Sequence, residues 1–68
     1  MRIIIELPIG VTKIGEVSVS TVFLWGHPLL FETMVFGGKL DQEQKRYSTW
    51  EEAERGHAAM VERVKSCS

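Results

Sequence analysis

The stretch EVSVSTVFLWGHPLLFETMVFGG, Glu16 to Gly38, decides the fold. It reads as two long strands joined by a tight turn at Gly26-His27-Pro28, where glycine permits unusual backbone angles and proline withholds a ladder donor. Side chains alternate across a pleated strand, so Val17, Val19, Thr21, Phe23 and Trp25 share one face, and Glu16, Ser18, Ser20, Val22 and Leu24 share the other. From Val22 onward both faces are apolar. The returning segment repeats this, with Leu29, Phe31 and Val35 on one side and Leu30, Met34 and Phe36 on the opposite one. A single covering layer cannot satisfy such a hairpin.

Working outward, Arg2 to Leu7 predicts a first strand, rich in isoleucine, which Pro8 ends or marks as an edge. Ile9 to Gly15 reads as a turn or irregular crossing. Beyond Gly37-Gly38, a polar segment leads to a short fourth strand, Gln44 to Tyr47. The remainder predicts a helix. Ser48 and Thr49 are both good N-caps, and Glu51 and Glu52 stand three residues on, at capping-box spacing. Trp50, Ala53, His57, Met60, Val61 and Val64 fall within an arc of roughly 100°, the width of a core-facing stripe. Gly56 lies off that stripe and lowers helix propensity by about 1 kcal/mol relative to alanine, a cost acceptable where another backbone or a ligand comes close. The predicted fold class is therefore α+β: a three- to four-stranded antiparallel sheet with one C-terminal amphipathic helix packed on one face.

Sixty-eight residues predict a single domain, 1–68, near the size below which a lone core needs help from a partner subunit. A hydrophobic content of 44% with 25% charge suits a folded globular chain, and a net charge of −1 argues against a nucleic-acid binder with a dense basic surface. No apolar run is long enough to span a membrane, and the first residues lack the pattern of a signal peptide. The lone cysteine, Cys67, suits a reducing compartment, so a cytoplasmic location in a host cell is expected.

The chain carries no recognisable catalytic constellation and no zinc-type spacing. The expectation is a protein that is not an enzyme and has no cofactor or metal. Four residues are candidates for contact with a ligand or partner: Glu32, which interrupts an apolar run; Arg46, a possible counter-charge for it; Tyr47; and His57, which sits within the helix stripe. A buried imidazole needs a partner, and a strand carbonyl, Tyr47 or a turn residue could supply one. If the helix covers the face bearing Phe23, Trp25, Phe31 and Val35, then Val22, Leu24, Leu30, Met34 and Phe36 are left for another surface. That predicts an interface, with a second copy as the first candidate partner.

The runs FETMVFGG at Phe31 to Gly38 and RYSTWEEAERGH at Arg46 to His57 resemble a widespread family of small, mostly uncharacterised tailed-bacteriophage proteins. In that family a strand ending S-T-V-F-L precedes a glycine-rich turn, F-E-T-M-V-F-G-G and then Y-x-T-x-E-E-A-x-x-G-H. The likeness covers Val19 to Val64. Two departures stand out: a longer family loop is reduced here to Leu24-Trp25-Gly26-His27-Pro28, and the family's Pro-Leu-Asp-Gly turn is replaced by Lys39-Leu40-Asp41-Gln42. The resemblance implies phage origin and action by binding a host component, often one belonging to defence. Two competing readings stand beside it: a non-catalytic sponge, in which an oligomer seam lined by His57, Tyr47, Glu32 and Arg46 holds a nucleotide-like immune signal, and a minor structural component of a virion.

Overall fold

The computed structural model describes residues 5–25 and 30–67, with side chains from residue 9 onward. Four strands, β1 (Ile5–Ile14), β2 (Val17–Trp25), β3 (Leu30–Phe36) and β4 (Gln44–Tyr47), form an antiparallel sheet in sequential order, followed by one helix, α1 (Trp50–Cys67). The α+β architecture expected from the pattern is the one observed, including the short fourth strand. Arg2 to Ile4 and the turn expected at Gly26-His27-Pro28 lie outside the described residues.

The first hairpin corrects the sequence reading. Ile9 to Gly15 is not a crossing: β1 continues through it to Ile14, and only Gly15 and Glu16 turn the chain. Gly15 has φ +60°, the positive angle that glycine supplies at the first position of a two-residue hairpin turn. Proline does not end β1 either. The register slips between Pro8 and Gly10, so Pro8 sits beside a bulge on an edge strand, where a missing donor costs least.

Helix α1 lies across the face that carries Val19, Thr21, Thr33 and Val35, a choice between the two faces that the sequence pattern had left open. Val19 and Val35 are fully buried, and Met60 and Val64 close over them from the helix, with Ile14, Val17, Leu40 and Val61 packed around this centre. The aromatic residues are not the centre of the core, as their size suggests they should be. Four of them form a string from the Trp25–Leu30 end of the β2–β3 hairpin to the helix start: Trp25 to Phe23 at 5.8 Å, Phe23 to Phe31 at 5.0 Å, and Phe31 to Trp50 at 5.8 Å between ring centroids. Small β-branched side chains let the helix approach the sheet closely, and the rings are displaced to the end where it begins.

A capped start, a close packing contact and an ion pair hold α1 in place. Thr49 accepts the Glu52 backbone N–H at 3.1 Å, and both Ser48 and Thr49 hydroxyls donate to the Glu52 carboxylate, which those bonds hold below its ordinary pKa. Gly56 belongs to the inward stripe, correcting its assignment from the wheel. It is buried because the Tyr47 ring occupies the space a Cβ would need, so the near neighbour is a side chain and not a backbone or ligand. Between β3 and β4, backbone bonds from Gln42 N to Val35 O and from Glu43 N to Leu40 O tie down a compact loop, further secured by Gly37 N donating to Asp41 Oδ1 at 2.6 Å. Arg63 on the helix reaches Glu43 at 2.8 Å.

Candidate functional site

The two faces of the sheet are finished differently. On the helix side, His57 projects between β1 and β2, with Nε2 2.8 Å from Thr12 Oγ1 and Nδ1 2.6 Å from Thr21 Oγ1. Thr21 Oγ1 is in turn 2.7 Å from Thr33 Oγ1, and both of these threonines are buried. A hydroxyl both donates and accepts, so either neutral tautomer of the ring closes this chain of bonds. The partners are threonine hydroxyls, not the carbonyl, tyrosine or turn groups anticipated. Withdrawal from water lowers the His57 pKa, keeping the ring neutral. Among the described residues, no buried side-chain polar atom lacks a hydrogen-bond partner. This interior seam is chemically complete.

The opposite face has no such cover. Val22 and Leu24 of β2 and Leu30, Met34 and Phe36 of β3 point away from α1, and no described element lies over them. Four are half-buried by their in-sheet neighbours alone; Phe36 is 50% exposed. Their relative placement follows from the register: Leu24 faces Leu30, Val22 faces Glu32, and Met34 and Phe36 continue toward the serine end of β2. Ser20, Val22, Glu32, Met34 and Phe36 enclose a shallow hollow of about 120 Å³.

Glu32 sits within this apolar field, and β4 places Arg46 directly beside it. Arg46 Nε donates to Glu32 Oε2 at 2.9 Å. The Glu32 side chain is only 13% exposed while that of Arg46 is 58% exposed, so the arginine caps a carboxylate largely withdrawn from water. One charged pair in an apolar field is suited to fixing orientation when a second surface docks.

The four candidate ligand contacts do not come together in one chain. Glu32 and Arg46 share the open face, whereas Tyr47 packs on Gly56 and His57 lies in the interior seam on the other side of the sheet. The five candidate interface residues do share one surface. What the sequence reading missed is the threonine set: Thr12 fell in a segment taken for a turn, and Thr21 and Thr33 could be linked only once the register was known. Among the described residues no group of three His, Cys, Asp or Glu side chains converges as a metal site would, and no helix is long and apolar enough to cross a membrane. No family model, curated protein or solved structure matches the chain.

Proposed function

We propose that this protein works by binding and not by catalysis, using the uncovered face of its sheet. The observation that carries the reading is the placement of Val22, Leu24, Leu30, Met34 and Phe36 on one surface that α1 leaves open. Contiguous apolar surface of this kind marks an interaction site, since fully burying each such side chain contributes roughly 1.5 to 3 kcal/mol. The five side chains lie on two adjacent strands along the seven residues of β3, an apolar strip roughly 23 Å by 10 Å, so an interface in which each partner gives ~800 Å² would also draw on the flanking strands.

A second copy is the first partner in this reading. A two-fold axis through the patch sets identical apolar surfaces against each other and lets each Arg46 lie near the other copy's Glu32. Taken with the likeness to small tailed-phage proteins, the assembled pair acts in the host cytoplasm as an accessory protein that inhibits a host protein, one connected with defence, by direct contact. A sponge for a nucleotide-like signal draws less support, because Glu32 and Arg46 are separated by the sheet from Tyr47 and His57.

The test is a paired capture experiment. Parent protein and a Leu24→Ser, Met34→Thr variant are used as bait in lysate of infected cells, and retained proteins are identified by mass spectrometry. A host protein retained by the parent and lost with the variant, whose circular dichroism is unchanged, is the expected outcome. Identical retention by both would defeat the assignment of this face.

A further inference from the structure

A second recess, independent of the open face, lies between β1 and the first turns of α1. Its origin is the bulge. The register slip puts Ile9 out of the ladder, where it is 39% exposed, and brings Gly10 opposite Thr21 on the helix side. Along that side β1 presents Gly10, then Thr12, then Ile14: Thr12 meets His57, Ile14 packs against the core, and at Gly10 there is no side chain. A Cβ built there would find nothing within 4 Å. The helix answers with Ala53, also small. The result is a pocket of about 200 Å³, floored by Thr21 and His57 and walled by Ile9 and Trp50.

The lining states what would fit. Trp50 is 44% exposed although it occupies the inward stripe of the helix, and Phe31 meets it edge to face, steadying the indole. Two of the large apolar side chains that remain in water, Ile9 and Trp50, thus border one cavity. The polar atoms on the floor are already engaged with one another, so they demand no ligand donor or acceptor. The one carboxylate in the lining is Glu54, and the lining holds no lysine or arginine. An apolar cavity of ~150 Å³ holds a benzene ring, so this one has room for a single ring with a short arm. Anions are disfavoured there, and a cation beside Glu54 is favoured.

We propose that this recess is a binding site for a small aromatic amine: one flat ring against the Trp50 indole, with a protonated nitrogen on a short arm at the Glu54 carboxylate. Bulges recur beside functional sites because they re-aim side chains and open backbone, as this one does.

The experiment uses the full chain with Trp25→Phe, so that Trp50 is the sole fluorescent indole. Its emission is followed while 2-phenylethylamine, 2-phenylethanol or phenylacetate is added. A saturable change is expected, with the amine binding about two- to fivefold more tightly than the alcohol, as an exposed ion pair allows, and the acid weakest. Glu54→Gln should erase the difference between amine and alcohol. Gly10→Leu, which fills open space, should reduce affinity for all three at least tenfold while leaving the circular dichroism and melting transition cooperative. No saturable response to the amine in the parent, or equal binding by the Gly10→Leu variant, would overturn the assignment.

Discussion

The inner and outer faces of this sheet are built from alternate residues of the same strands, yet they assign bulk and polarity in opposite ways to expectation. Under the body of α1 the covered face holds valines and threonines, with Thr21 and Thr33 buried nearly as deeply as Val19 and His57 reaching in from the helix, while Phe23, Phe31 and Trp25 stand at the end where the helix begins. The open face holds leucines, methionine and phenylalanine. Burial is not apportioned by hydrophobicity alone. Small β-branched side chains bring the helix close enough for a hydrogen-bonded seam to close, and Leu24, Leu30, Met34 and Phe36 of the other face stay where another molecule can reach them.

The sharpest way to break this contrast is to shorten one side chain on each face. Met60→Ala, under the inner core, should cost roughly 2 to 5 kcal/mol in urea unfolding, as cavity-forming truncations do. In monomeric conditions, Leu24→Ala on the outer face should cost under about 1.5 kcal/mol, because that side chain is only partly buried in the single chain. Equal losses would mean that the outer face is covered after all.

Next in size is the seam itself. Thr21→Val keeps the volume but leaves a ring nitrogen of His57 and the hydroxyl of Thr33 short of a partner, a loss of roughly 1 to 3 kcal/mol. A neutral result would show that water replaces the threonine and that the interior is less closed than its geometry indicates.

Much of this arrangement was legible in the sequence, and its gaps have physical causes. Alternation through Glu16 to Trp25 separated the two faces correctly, and Thr49 with Glu52 announced the helix start. Pro8, Gly10 and Gly15 made a bulged edge strand look like a loop, because local turn residues were weighed without the pairing partner that β2 supplies. Gly56 was misplaced for a similar reason: a helical wheel does not know that the Tyr47 ring lies against it. The candidate contacts Glu32, Arg46, Tyr47 and His57 were each reasonable singly. Strand parity, readable at Arg46 and Tyr47 as neighbours in β4, already implied that the two must face apart.

A smaller effect bears on the loop joining the strands that make both faces. Gln42 adopts φ +68°, a left-handed conformation that costs an ordinary side chain. Gln42→Gly should therefore raise stability by about 0.5 to 1 kcal/mol with both faces unaltered. A destabilised variant would show that the Gln42 side chain contributes more than its backbone angle costs.

The smallest expected effect is on pH. Because burial lowers the His57 pKa in the folded state, the unfolded chain takes up the proton first as pH falls. The contribution is complete above the ordinary histidine pKa of about 6.5 and declines below it. Between about pH 7 and pH 5, above the range where the Glu52 cap titrates, the melting temperature of the parent should fall more than that of His57→Gln. Parallel curves would remove the ring from the account. The decline should be shallow, since the protonated ring can still donate to Thr12 and Thr21 while Thr21 donates to Thr33.

The central claim is that the outer face is made to be covered by another surface, first of all by a second copy. Light scattering on the eluting protein at micromolar concentration measures this directly. The account predicts twice the chain mass of 7.7 kDa for the parent and a single chain mass for the Leu24→Ser, Met34→Thr variant. A parent that elutes as one chain across that range, with the same mass as the variant, would contradict it.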